Sequence, residues 1–171
     1  MPCLRGRPLR VCFRPRLRTA KGRLHSGGSM GQEVHAGSFI HRRMIVLESG
    51  LAAEPRELAR VLVHELFHFV WLRAGNPLRR SYELLIENEM LHQAWGELGW
   101  SAESRKQALR AAERLRRSRR WREYVCESFC DSAAWVFAGL RSHEEFTLML
   151  RYRHARRAWF RRALATAEIS I

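Results

Sequence analysis

Long apolar runs are missing from this 171-residue sequence. Its greasiest segment, Val61 to Leu72, is interrupted by His64, Glu65 and His68, so no stretch approaches the roughly 18 uncharged apolar residues needed to cross a bilayer. A soluble, cytoplasmic protein with no membrane partner is expected. Cysteine is also sparse, with four residues, of which Cys3 and Cys12 fall in an arginine-rich N-terminal segment. Cys126 and Cys130 are four apart in a helical pattern, a spacing that brings side chains together but suits a disulfide badly, which argues against a stapled secreted fold. No second cysteine pair exists to complete a four-cysteine zinc site. Packed, reduced thiols are therefore the simpler expectation, and zinc held by the pair the sharper one. Aspartate occurs once, as Asp131, and 29 of the 31 basic residues are arginine, a bias that genome composition explains as readily as selection for nucleic acid.

The formal charge is +14, and residues 1–30 carry +8 of it, with no acid before Glu33. That segment is rich in Gly, Pro, Ser and Arg and has no apolar signal region, so it is expected as a basic disordered extension. Polyanion binding, an organellar presequence, and translation from Met30 are its other readings. Residues 31–171 are expected as a single domain, and at 46% hydrophobic with six Trp the chain can build a real core. Arginine clusters in 105–122 and 151–162, interleaved with Trp121, Tyr152, Trp159 and Phe160, give a nucleic-acid-binding alternative in which arginines meet phosphates and rings stack on bases.

Apolar and β-favouring stretches at 34–40 and 44–47, joined by His41-Arg42-Arg43, predict a small hairpin. Helices are expected over 55–74, 78–97, 102–117, 119–138 and 143–166, giving a helical hairpin across 76–120 and a basic C-terminal helix within 140–171. Pro55 suits a first turn, Gly75 and Pro77 end the first helix, Gly139 ends the fourth, and Ser142 with Glu145 reads as a capping box. The fold class is therefore α+β, mainly helical, with a short hairpin or small sheet packed on the first helix.

That first helix carries the anomaly. Nine of the twelve residues from Val61 to Leu72 are apolar, so it must be buried on most faces, yet His64, Glu65 and His68 lie within it. A carboxylate there is expensive to bury without compensation, which a divalent metal supplies. The pattern is HExxH: two imidazoles on consecutive turns hold zinc, and the intervening glutamate acts as general base toward a metal-activated water. About 0.03 such matches arise by chance in a chain of this composition. Catalytic zinc needs a third protein ligand and an open position, and the candidates are Glu87, Glu89, His92, Glu97 and Glu127. Glu127 is preferred because Asp131 follows on the same helical face, making a ligand and a partner for a ligating histidine. Tyr124, one turn earlier, is a possible oxyanion stabiliser, and Tyr82, His92 and Trp95 are weaker ones. His35, His41, His143 and His154 receive no role.

With His64, Glu65, His68 and Glu127-x-x-x-Asp131 in place, the chain resembles gluzincin-type zinc metallopeptidases, in which a glutamate on a later helix completes HExxH. The strand at 44–47 and the helix start Arg56-Glu57-Leu58-Ala59 resemble the minimal-domain members, the ImmA/IrrE group and the minigluzincins, across about residues 33–139. The step from His68 to Glu127, 59 positions, is longer than in the ImmA/IrrE group. The resemblance implies a zincin-like active-site helix, one Zn2+ held by His64, His68 and Glu127, Glu65 as base, and Asp131 behind the ligands. It also implies a protein or peptide substrate cleaved as by an endopeptidase, paired with a strand edge near Ile40 or Ile45.

Overall fold

The arginine-rich N-terminal segment, expected to be disordered, forms strands in the computed structural model, which describes residues 2–164 and 169–171. Strand β1 (Leu4–Arg5) is followed by β2 (Arg10–Arg14), by the hairpin of β3 (Leu17–Ala20) and β4 (Arg23–Ser26), and by β5 (Gln32–Glu33). The hairpin turns at Lys21-Gly22, both with positive φ, a two-residue loop whose twist matches antiparallel strands. Next, β6 (Ala36–Phe39) and β7 (Met44–Glu48) form the expected antiparallel pair, joined through a 3-10 turn at Ile40–Arg42 and left-handed Arg43. For residues 10–14 the correction has a simple cause. β6 satisfies one edge of β7, and β2 pairs in parallel with the other from Arg10↔Met44 to Arg14↔Glu48. Backbone pairing makes no demand on charge, and Arg10 and Arg14 remain exposed.

The helices are α1 (Pro55–Arg73), α2 (Asn76–Leu91), α3 (Trp100–Gln107), α4 (Ala111–Leu115), α5 (Arg119–Phe137) and α6 (Leu150–Leu164), after which β8 (Ile169–Ser170) pairs in parallel with β1. The fold is α+β and mainly helical, and among the described residues no helix is long and apolar enough to cross a membrane. Helix α1 is greasy nearly all round because it is sandwiched. Val63, Phe67 and Val70 enter a core with Tyr82 and Ile86 of α2, Phe129 of α5 and Phe160 of α6, while Val61 and Phe69 pack with Ile45 and Leu47 of β7. Ser118 caps α5 by accepting the Trp121 N–H at 3.3 Å.

Three expected helices change. The helix over 78–97 stops at Leu91, where Gln93 and Gly96 adopt positive φ and the chain turns to bury Ala94 and Leu98 in a small core with Trp135, Phe146 and Leu148. The helix over 102–117 is two short helices, because the Glu113 carboxylate bonds back to the Arg110 N–H and starts a second one. The helix over 143–166 begins only at Leu150; its residues 165–166 lie outside the described residues. Glu145 does not cap it but accepts from Arg60 and from the Trp100 N–H. Thr147 and Leu148 instead donate backbone N–H groups to the Glu97 carbonyl at 2.9 and 2.8 Å.

Candidate metal centre

Helices α1 and α5 lie face to face, Phe67 against Phe129 at 5.8 Å between ring centroids. This packing sets the polar stripe of one helix against that of the other. His64 Nε2 is 3.2 Å from His68 Nε2, and Glu127 Oε2 stands 3.3 Å from the first and 3.9 Å from the second. Donors bound to one zinc at 2.0–2.2 Å in tetrahedral array are about 3.3–3.5 Å apart, so the triangle fits a single ion once Glu127 closes slightly on His68. Two imidazoles and one carboxylate are also the donor set of catalytic zinc sites that keep a fourth position open.

Each candidate ligand is held from behind. His64 Nδ1 lies 2.7 Å from Asp131 Oδ1, and the other oxygen, Oδ2, accepts the Ala102 N–H at 2.9 Å. Burial opposes a charge on His64, but the Asp131 carboxylate and its hydrogen bond, with one from Glu127, raise the imidazole well above its usual 6.5. Partial burial of Glu127 works the other way, yet hydrogen bonding to His64 and the charges of His68, His64 and Arg105 bring its carboxyl down to about 2. Arg105, on α3, reaches Glu127 Oε1 at 3.2 Å. The second imidazole has sulfur behind it, with His68 Nδ1 3.4 Å from Cys130 Sγ and 3.7 Å from Cys126 Sγ.

Glu65 is 9% exposed, and its Oε2 accepts the Ser38 hydroxyl at 2.5 Å. Ser38 belongs to β6, the outer strand of the order β2-β7-β6, and among the described residues no strand pairs with its free edge. β7 is central, so of the two edge positions expected near Ile40 and Ile45 only the first is available. Between β6 and the start of α3 a cleft of about 290 Å³ is lined by Val34, Ala36, Val61, His64, Glu65 and Trp100.

Several candidates belong elsewhere. Tyr124 is fully buried and donates to Glu97 Oε1 at 2.5 Å, so it cannot serve as the oxyanion stabiliser; apolar burial and the Glu97 charge raise its pKa well above the ordinary 10.0. Glu89 and Glu97 both bind the buried Arg156 guanidinium, at 2.6 and 2.7 Å, and Glu87 binds Arg80, which removes all three from the ligand candidates. Tyr82 donates to the Ser128 carbonyl at 2.9 Å, His92 contacts the Asn88 carbonyl, and Trp95 is exposed. His143 pairs with Glu57, His35 lines the cleft, and His41 and His154 are exposed. Trp121, Tyr152, Trp159 and Phe160 are buried and present no free face for stacking on bases. Sequence reasoning missed Ser38, Arg105 and the bond from the Ala102 N–H to Asp131, which reach the site only through long-range packing. Comparison with protein-family models, with curated proteins and with solved structures gave no match.

Proposed function

We propose that the chain is a zinc-dependent metallopeptidase of gluzincin type, an endopeptidase acting on extended protein segments. The observation that carries this reading is the triangle of His64 Nε2, His68 Nε2 and Glu127 Oε2, with edges of 3.2, 3.3 and 3.9 Å and the Glu65 carboxylate within 4.8 Å of both imidazoles. Zinc held there would supply a Lewis acid that polarises the scissile carbonyl and makes water acidic enough to attack at neutral pH. The chain's own residues do the rest. Glu65 takes the proton from the attacking water and passes it to the departing amine, while the Ser38 hydroxyl fixes the carboxylate that does so. Asp131 selects the His64 tautomer whose Nε2 is a lone pair. The free edge of β6 offers backbone N–H and C=O groups to an extended peptide laid into the cleft.

The test begins with zinc per chain in protein purified without added metal, where about one is expected. Glu65→Gln should keep that zinc and lose peptide hydrolysis by about 10²–10⁴-fold. Unchanged hydrolysis by this variant would remove Glu65 from the chemistry and the peptidase reading with it.

A further inference from the structure

His68 has two ring nitrogens, and each faces a different donor set. Nε2 looks toward His64 and Glu127, whereas Nδ1 looks toward the thiols of Cys126 and Cys130 at 3.7 and 3.4 Å. The two cysteines share one face of α5 because four residues is about one helical turn, and both are free. The two sulfurs and the imidazole nitrogen all lie within 4.8 Å of one another. A cation bound at about 2.3 Å to sulfur and 2.0–2.1 Å to nitrogen holds those donors about 3.6 Å apart, and the two sulfur–nitrogen distances, 3.4 and 3.7 Å, bracket that value.

We infer that His68 Nδ1, Cys126 Sγ and Cys130 Sγ form a second cation site, for a thiophilic d10 ion, whose occupation excludes zinc from the first. Two thiolates and one imidazole make a soft set, unlike the two imidazoles and carboxylate on the other side of the same ring. As the ion binds, each thiol releases its proton to solvent, and two thiolates with a neutral imidazole balance a divalent charge. Cys126 is partly exposed and gives the ion its way in, while Cys130 is 0% exposed and closes the inner side. Exclusion follows from the ring. A neutral imidazole has one lone-pair nitrogen, so when Nδ1 ligates the soft ion the remaining proton sits on Nε2, which then cannot ligate zinc. By linkage, zinc weakens binding of the soft ion by the same factor. The exclusion rests on the proposed zinc site; the sulfur site does not.

Cadmium is the probe, since a thiolate bound to Cd2+ absorbs in the near ultraviolet and a carboxylate or imidazole does not. Titration of the metal-free full chain should give this band with an end point of about one cadmium per chain. Cys126→Ser with Cys130→Ser should abolish the band while circular dichroism stays native, and His68→Gln, which keeps both thiols, should weaken the titration by at least about tenfold. In zinc-loaded protein the band should grow in step with zinc released to a chromogenic chelator. No band in the metal-free chain, or an undiminished band in the double variant, overturns the site; a full band with zinc retained overturns the exclusion. A band in a chain that never takes up zinc supports the sulfur site and defeats the peptidase reading alone.

Discussion

His64 Nδ1 and Asp131 Oδ1 are 2.7 Å apart although 67 residues separate them in the chain. The same carboxylate takes the Ala102 N–H on its other oxygen at 2.9 Å, so one side chain ties α1, α3 and α5 together behind the candidate zinc ligand. Asparagine in its place has a single acceptor oxygen and must abandon either His64 or Ala102. Asp131→Asn should therefore fold and lower zinc affinity by about 10–100-fold, read by competition with a chelator of known affinity. Wild-type affinity in a folded Asp131→Asn protein would mean that His64 needs no orienting partner.

Without a metal, the candidate site should hold a proton. His64 is held charged well above its usual 6.5 by Asp131 and Glu127 despite its burial, whereas Glu127 stays ionised down to about 2. Zinc needs the His64 lone pair, so binding must expel that proton, and zinc affinity should fall as pH drops through the raised value. Glu127 releases nothing over this range. Calorimetry at about pH 7 in two buffers of different ionisation enthalpy should report at least about one proton released per zinc, from His64 and from His68, whose own value is also raised. The same shift makes the metal-free fold more stable on the acid side, a contribution fully present below the unfolded-chain value and lost as pH rises through the raised one. Buffer-independent binding heat would show that His64 is neutral before zinc arrives.

The parts of the site that lie on a single helix were readable from the sequence. His64, Glu65 and His68 are fixed relative to one another by the helical period, as are Glu127 and Asp131, and the two long helices that carry them are bounded by signals the sequence states: Pro55, Gly75 and Pro77 for the first and Gly139 for the second. Residues brought in across the fold were not readable. Ser38 reaches Glu65 from a strand and Arg105 reaches Glu127 from a short helix, and neither has a local pattern that points to its partner. Tyr124 misled for the same reason. Its position one turn before Glu127 is a local fact, whereas its hydrogen bond to Glu97 depends on the buried Arg156 network that closes α2, α5 and α6. The N-terminal strands were hidden differently: composition suggested disorder, but order there comes from backbone pairing, of β2 with β7, of β1 with β8 and of β3 with β4 and β5, which composition does not report.

Gly99 precedes α3 with φ near −179°, an extended conformation open to any residue, so the reason for glycine there is space rather than backbone freedom. A Cβ added at this position lands on the Asp131 carboxylate. That carboxylate is 2% exposed and engaged on both oxygens, so it cannot step aside without releasing His64 or Ala102. Gly99→Ala should consequently cost about 1–3 kcal/mol in thermal or denaturant unfolding of the metal-free protein. It should also lower zinc affinity by about 10–100-fold, because the displaced group is the one that orients the ligand. Gly75→Ala is the matching control: its added Cβ meets only Pro77 Cδ, at an ordinary 3.6 Å. That variant should stay within about 0.5 kcal/mol of the parent and bind zinc as the parent does. The pair separates two causes, since a general loss of stability would follow Gly99→Ala without touching zinc, whereas a displaced Asp131 must change both. If Gly99→Ala unfolds earlier yet holds zinc as tightly as the parent, the link from α3 through Asp131 to His64 is not what positions the ligand.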